Sequence, residues 1–240
     1  MKKVFILFFT TLCLFSISSC KSIIYSYGLI KYHTGGGTYT VIDLTDEGRQ
    51  QEYIIVPSYV NGYKVDFLGM GSGFASLGNV KKIYIPYDII RWHDSSLVAS
   101  PTKVFILSNE IHDFMSDYSH LYISNWLYEN VELINSYSKK EVKDSIIYDA
   151  HISNVSFHFN YEGAPNEGYY WIDDYDYGEL ITFIPPNPIR EGYTFVGWYK
   201  ESECINEWIF NEDKLPEVQY AENGDILFNE TELYAKWLNH

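Results

Sequence analysis

The segment REGYTFVGWYKE, residues 190–201, decides the fold of the C-terminal part of the chain. Two glycines, Gly192 and Gly197, separate its four large aromatic residues, which are Tyr193, Phe195, Trp198 and Tyr199. The segment contains no acid–base pair, thiol or hydroxyl–imidazole pair. We interpret Gly192 as the turn that enters a strand, and Gly197 as a position where a ring lies across the backbone. The segment is therefore interpreted as structural and not catalytic.

The physical reason for so many rings is the small size of this part of the chain. A domain of under about 90 residues without a disulfide has an unfavourable surface-to-volume ratio. Each large aromatic side chain buries about 150–250 Å². The predicted aromatic core consists of Trp198, Trp208, Phe210, Tyr234 and Trp237. Upstream, NVSFHFNYEG at 154–163 alternates apolar and polar residues, which predicts a half-buried strand.

The order of motifs from residue 154 to residue 240 resembles the Listeria–Bacteroides repeat, also called the internalin B-repeat. The motifs that carry the resemblance are YGE at 177–179, PNPIREGYTFVGWY at 186–199, the Cys204, Trp208 and Phe210 cluster, and LYAKW at 233–237. The resemblance implies a small β-grasp-like domain of bacterial surface proteins, used as an adhesive or a spacer unit. NEGYYWIDDYD at 166–176 lengthens the usual connection after the first strand.

The first half of the chain contains a repeated short β-type run. Its four copies are YIIVP at 53–57, KIYIP at 82–86, KVFIL at 103–107 and HLYIS at 120–124. Between the first two copies, Asn61-Gly62 predicts a turn. The segment from residue 54 to residue 89 is similar to the BspA-type leucine-rich repeat of bacterial surface proteins, and the similarity extends over residues 39–135. It implies short stacked parallel strands joined by irregular or short helical returns.

The two resemblances together predict an α+β, β-rich fold class. A short leucine-rich-repeat solenoid is followed by a small β-grasp-like domain. The predicted segments are a signal peptide at 1–19, a tether at 20–38, the repeat domain at 39–135, a linker or closing element at 136–153, and the C-terminal repeat domain at 154–240.

The repeated strands predict a row of rings. Neighbouring side chains in a strand point to opposite faces of the sheet. The outer residues of IYI, VFI and LYI are therefore predicted to face the core, and the middle residues are predicted to point out of the other face. These residues are Tyr84, Phe105 and Tyr122, and we call them the aromatic ladder. An exposed apolar stripe often marks an interaction site, which makes the ladder a candidate ligand-binding surface. The alternative is that the second domain or the tail of the chain covers it.

The N-terminus is typical of an export signal. Lys2 and Lys3 precede an apolar run that is shorter than the about 20 residues of a membrane-spanning helix. SISSCKS then resembles the lipobox of bacterial lipoproteins, in which the cysteine carries the lipid; here that residue is Cys20. The alternative is a secreted protein with Cys20 left near the cleavage site. With Cys13 removed and Cys20 acylated, only Cys204 remains, so no intramolecular disulfide is predicted.

The acidic charge is concentrated in the C-terminal part of the chain. Residues 154–240 contain 17 acidic and 4 basic residues, whereas residues 20–153 contain 15 acidic and 11 basic residues. Binding of phosphates needs clusters of Lys and Arg, so nucleic acid is not a predicted partner. An acidic surface suits solubility outside the cell and attracts divalent cations or basic partner surfaces.

Sequence motifs of catalysis are missing. The chain has no HExxH motif and no GxSxG elbow, which argues against a zinc protease or an α/β-hydrolase. Asp173, Asp174 and Asp176 offer oxygen ligands for Ca²⁺ but lack the EF-hand loop pattern, and we interpret DDYD as a solvated loop. We predict no catalytic residue, no metal site, no cofactor and no enzymatic activity.

The predicted protein is a lipid-anchored surface protein of the bacterial cell envelope, outside the cytoplasm. It is anchored to the membrane through the lipid on Cys20 and binds an extracellular protein or glycan non-covalently, as in adhesion or host interaction. The alternative is a passive spacer or envelope-structural module without a specific ligand. Exposure of the aromatic ladder favours the first function, and burial between domains favours the second.

Overall fold

The computed structural model describes residues 24–35, 38–68, 77–88, 91–92, 102–109, 121–134 and 150–240. The predicted signal peptide and Cys20 lie outside these residues. The described part contains a single α-helix, α1 (Asn125–Ile134). No helix in these ranges is long and apolar enough to cross a membrane.

Strands make up most of the described structure. They are, in chain order, β1 (Ile24–Tyr27), β2 (Ile30–Gly35), β3 (Thr38–Leu44), β4 (Tyr53–Ile55), β5 (Tyr59–Val60), β6 (Tyr63–Leu68), β7 (Lys82–Ile85), β8 (Arg91–Trp92), β9 (Lys103–Ile106), β10 (Leu121–Ile123), β11 (His151–Ile152), β12 (Val155–His158), β13 (Tyr169–Asp173), β14 (Tyr193–Tyr199), β15 (Gln219–Tyr220), β16 (Ile226–Leu227) and β17 (Thr231–Asn239).

The first sheet mixes strand directions. Its order is β1-β2-β3-β6-β5, with β8 paired to β6. The pairs β1–β2, β2–β3 and β5–β6 are antiparallel, whereas β3–β6 and β6–β8 are parallel. The predicted turn at Asn61-Gly62 is confirmed: both residues have positive φ, 50° and 80°, as the tight turn of a hairpin requires. Residues 24–35, which lie within the predicted tether, form β1 and β2.

The second sheet is parallel throughout, in the order β11-β10-β9-β7-β4. The four repeated runs of the sequence correspond to β4, β7, β9 and β10, so these predicted strands are confirmed as neighbours. The outer apolar residues of β7 and β9 pack in one hydrophobic core with buried residues of the first sheet, such as Val41 and Val65. These outer residues are Ile83, Ile85, Val104 and Ile106. A further strand, β11, lies in the segment predicted as a linker or closing element.

The predicted leucine-rich-repeat solenoid is wrong. A solenoid stacks its repeats so that each contacts only its neighbours. The described part of residues 39–135 is instead divided between two sheets, and the first of them contains antiparallel pairs. The sequence repeat identified the short parallel strands correctly but did not reveal that the intervening segments form strands of another sheet. The β-rich character is confirmed, whereas the α+β class is supported only weakly, by the single helix of the described residues.

Residues 154–240 form a separate four-stranded sheet in the order β13-β12-β17-β14. Its central strands β12 and β17 are parallel, and β13 and β14 flank them in antiparallel pairing. The two-stranded ribbon β15–β16 stands beside it. Apart from a 3₁₀ turn at Asn166–Gly168, this part of the chain contains no helix.

Residues 193–199 of the segment REGYTFVGWYKE form β14 and supply core, as predicted. Trp198 is 3% exposed, and its ring meets Phe157 edge-on with 4.9 Å between centroids. Gly192 has φ +78° and forms the turn before the strand, as predicted. At Gly197 an added Cβ would lie 3.3 Å from the Glu207 carboxylate, nearer than the Tyr199 ring at 3.9 Å. The carboxylate, and not the ring expected there, therefore makes the closest approach.

Asp43, at the end of β3, anchors the turn that follows that strand. Its carboxylate accepts hydrogen bonds from the Arg49 guanidinium and from the Leu44 N–H. Burial alone would raise the pKa of Asp43, but these hydrogen bonds and the charge of Arg49 hold that pKa below its ordinary value. The carboxylate is thus stabilised in its ionised form by folding.

The Asp43→Asn variant should therefore lose stability in a pH-dependent way. The contribution of a carboxylate with a depressed pKa is complete above the unfolded value of about 3.9 and disappears as pH falls through the folded value. We expect the variant to be about 1 kcal/mol less stable at pH 7, with the difference vanishing in acid. Urea unfolding at several pH values measures this. Asp46→Asn is the control, since that side chain is 94% exposed; a pH-independent difference for Asp43→Asn would contradict the assignment.

Candidate functional site

The aromatic ladder exists in the predicted geometry. The rings of Tyr84 and Phe105 stack with centroids 5.0 Å apart, and Phe105 and Tyr122 follow at 4.9 Å. His151 of β11 extends the row, with its ring stacked 4.9 Å from Tyr122. The row arises because β7, β9 and β10 pair in parallel register, with Tyr84 opposite Phe105 and Phe105 opposite Tyr122.

The ladder is covered by the C-terminal domain. Tyr84 and Phe105 are 0% exposed, and Tyr122 is partly buried. The ring of Tyr84 lies 4.6 Å from that of Trp171 and 4.9 Å from that of Phe183. Of the two alternatives left open by the sequence, the structure therefore adopts burial between the domains. Tyr84 and Phe105 form a core shared by both halves and offer no open surface to a ligand.

A buried ion pair lies beside the ladder. The Lys82 ammonium donates to Asp173 at 2.6 Å, and the Asp173 side chain is 0% exposed. The hydroxyls of Tyr84 and Tyr175 also donate to this carboxylate, at 2.9 and 2.8 Å. A second pair, Lys103 with Asp174 at 2.7 Å, lies next to it. We call this set, Lys82, Lys103, Asp173, Asp174 and Tyr175, the interdomain clamp.

The charges of Lys82 and Asp173 in the clamp depend on each other, as the pKa shifts of both groups show. Burial lowers the pKa of the Lys82 ammonium, against the attraction of Asp173. Burial likewise raises the pKa of Asp173, against the charge and the hydrogen bond of Lys82. Each charge is therefore tolerated in this position only because the other is present. The Tyr175 ring stabilises the Lys82 ammonium further by a cation–π interaction, with its centroid 3.9 Å from the ammonium nitrogen.

A second set of contacts, made of hydrogen bonds, joins the two domains at Asn166. Asn166 accepts a hydrogen bond from the backbone N–H of Asn109 at 2.6 Å, through its side-chain oxygen. Its side-chain nitrogen donates to the Leu107 carbonyl at 2.6 Å. In return, the Asn109 amide nitrogen donates to the Asn166 carbonyl at 3.1 Å. Asn166 has φ +54°, which asparagine tolerates better than most residues. These bonds and the clamp hold the two halves together.

The DDYD segment is only in part the solvated loop that the sequence predicted: Asp176 is exposed, whereas Asp173 is buried. Asp173 and Asp174 pair with lysines of the other domain, so the solvated-loop interpretation is wrong for Asp173. In the ranges that the structure describes, no three His, Cys, Asp or Glu side chains are grouped so as to hold a metal ion. The partners Lys82 and Lys103 were missed. Their signal was present, because each lysine is the first residue of its repeated strand and lies two residues before a ladder ring.

An open cavity of about 440 Å³ lies on the C-terminal domain. Its walls are the turn after β14 and the first residues of β17, and Trp208 also lines it. Four of the lining side chains are carboxylates: Glu201, Glu203, Glu230 and Glu232. The lining contains one ammonium, Lys200, which donates to Asp213 at 2.6 Å. The cavity was not predicted from the sequence, because its walls come from segments that are distant along the chain. No local pattern shows that these segments meet.

Residues 154–236 match the profile of the Listeria-Bacteroides repeat domain. The match covers the four-stranded sheet almost to its last residue and includes every residue that lines the cavity. It confirms the assignment made from the motifs of this region. The family is typical of bacterial surface proteins, and the C-terminal domain is accordingly similar to a surface-protein module.

Proposed function

We propose that the protein is a lipid-anchored bacterial surface protein that binds an extracellular protein or glycan non-covalently through its C-terminal domain. The observation that carries this proposal is the Listeria-Bacteroides repeat domain at 154–236. The lipobox-like segment ending at Cys20 supports the anchor. Because the ladder is buried, the proposed binding surface is the outer surface of the C-terminal domain and not Tyr84, Phe105 and Tyr122.

A second candidate function is favoured by the same burial. Two domains that share a core and a buried ion pair behave as one rigid body, and such a body suits a passive spacer. The two functions differ in one measurable respect. Arrays of extracellular proteins and glycans, probed with the mature chain from residue 20 onward, should give saturable binding for a receptor and none for a spacer.

The anchor is tested by metabolic labelling with palmitate. We expect the wild-type protein to be labelled and the Cys20→Ala variant to lose the label completely, because the thiol that accepts the lipid is gone. Cys204→Ala is the matched control and should keep the label. Protease treatment of intact cells should remove the wild-type protein. Labelling that persists in Cys20→Ala, or a mature protein found free in the medium, would contradict the anchor.

A further inference from the structure

We propose that the outer edge of β4 binds an extended peptide segment of a partner protein as an added strand, with an apolar side chain of that segment in a cavity beside Tyr53. This surface belongs to the N-terminal half of the chain and to its junction with the C-terminal domain. It therefore lies outside the surface proposed above and is independent of it. Three features support it: the free main chain of β4, the cavity beside this strand, and the open end of the aromatic ladder.

The strand β4 ends the second sheet, and within the described residues it pairs with β7 alone. The Val56 N–H donates to β7, and main-chain groups point alternately to the two sides of a strand. The main-chain groups of Tyr53 and Ile55 therefore point away from β7. Neither residue makes a hydrogen bond on that side in the described structure. Their N–H and carbonyl groups are free to pair with another strand, as the groups of an open sheet edge are.

A cavity of about 260 Å³ lies beside Tyr53. Its walls come from the first residues of β4 and β7 and from residues 182–184 of the C-terminal domain. Tyr53 and Ile184 contribute apolar surface and are 46% and 52% exposed, and the Phe183 ring lies 4.5 Å from that of Tyr53. Apolar side chains that are exposed together around a concave surface indicate an apolar group of a ligand. A cavity of this volume has room for one large side chain.

The charges around this cavity are already paired. Lys81 and Glu52 form an exposed ion pair at 2.6 Å. Lys82 donates to Asp173 at 2.6 Å. A charged ligand group would lose water here without gaining a counter-charge, which is unfavourable. The side chain that enters the cavity is therefore expected to be uncharged.

The aromatic ladder has an open end at the same edge. Ile55 lies opposite Tyr84 in the register of β4 and β7, so its side chain continues the row of rings, and it is only partly buried. A strand added to β4 would place a side chain about 4.8 Å from Ile55 on this face. The side chain two residues along would lie beside Tyr53, at the cavity, because side chains alternate between the two faces. The added strand should therefore carry apolar residues at alternate positions.

A peptide segment fits this edge better than a second copy of the chain does. The chain has a formal net charge of −15 at pH 7, so two copies repel each other. Residues 182–184 also lie beside the start of β4, which leaves less room for a folded domain than for a single extended strand. In this mode of recognition, main-chain hydrogen bonds give affinity and alternate side chains give specificity.

The test uses two blocked pentapeptides of equal composition with the mature chain. Acetyl-Thr-Phe-Thr-Phe-Thr-amide places both rings on one face of a strand, whereas acetyl-Thr-Phe-Phe-Thr-Thr-amide places them on opposite faces. We expect the alternating peptide to bind at least about fivefold more tightly, as measured by calorimetric titration. Equal binding of the two peptides, or binding of neither, would overturn the proposal.

Amide hydrogen exchange, followed by NMR, locates the added strand. With the alternating peptide at saturation, exchange of the Tyr53 and Ile55 N–H groups should slow at least about tenfold, because a new hydrogen bond protects them. The Ile54 N–H points toward β7 and is the internal control, which should change less than about twofold. Unchanged exchange at Tyr53 and Ile55 would overturn the site. Protection that appears without peptide as protein concentration rises would identify a second copy as the occupant and would overturn the peptide.

Two variants test the cavity. Ile184→Ser should weaken binding of the alternating peptide at least about fivefold, and it should fold normally because Ile184 is already half exposed. Ile189→Ser is the matched control, since Ile189 follows in the same segment, is 90% exposed and does not line the cavity. That variant should keep the affinity within about twofold. An equal loss of affinity in both variants would show that the cavity does not receive the side chain.

Discussion

Replacement of Asp173 by alanine lowers the free energy of unfolding by about 3–5 kcal/mol, because it leaves a buried ammonium without its counter-charge. Lys82 is 19% exposed and donates to Asp173 at 2.6 Å. The hydroxyls of Tyr84 and Tyr175 lose the same acceptor. The backbone N–H of Asp174 also donates to this carboxylate, so four donors remain without this partner at a junction that water does not reach freely. Urea unfolding followed by tryptophan fluorescence measures the loss.

The control for this substitution lies three residues away. Asp176 belongs to the same acidic segment, but it is exposed and makes no ion pair in the described structure. Asp176→Ala should change stability by less than about 0.5 kcal/mol. If Asp173→Ala were as mild as Asp176→Ala, the ion pair of Asp173 with Lys82 would contribute nothing to the junction, and the two domains would be held by apolar contacts and by the hydrogen bonds of Asn166.

The strands of this protein were predictable where the sequence carries a short repeat. The pattern of apolar, any, apolar residues located β4, β7, β9 and β10, and the period of two placed Tyr84 and Phe105 on the same face. The pattern does not reveal which part of the chain covers the rings of Tyr84 and Phe105. Trp171 and Phe183 come from the other domain, and long-range packing of this kind has no local signal in the chain.

The solenoid prediction failed for a related reason. A repeat among the strands does not show which structure the segments between the strands adopt. Here β5 and β6 form a hairpin and join a mixed sheet with β3. The Asn61-Gly62 turn was visible in the sequence and pointed to that hairpin. Given more weight than the repeat, it would have predicted an antiparallel pair where the solenoid has none.

The candidate site was only partly predictable. DDYD was recognised as unusual, but its role depends on Lys82 and Lys103, which are distant in sequence and close only after the two domains dock. The cavity is less predictable still. Its carboxylates come from the turn after β14 and from the start of β17, and these segments meet only in the folded domain. Charge composition predicted an acidic surface, and the fold determines where that charge is left unpaired.

The Phe105→Ala variant is expected to lose about 3–5 kcal/mol of stability, as buried phenylalanines generally do when a cavity replaces the ring. Phe105 is 0% exposed, and its ring stacks between those of Tyr84 and Tyr122. The substitution therefore removes the centre of the core that both domains share. Limited proteolysis should cleave the variant between the domains at a higher rate, and urea unfolding should show the lost stability. Tyr59→Ala, at a ring that is 61% exposed, is the control and should stay within about 0.5 kcal/mol of the wild type. A stable Phe105→Ala protein would mean that the ladder is not a structural core, and the ladder would again be a candidate ligand surface.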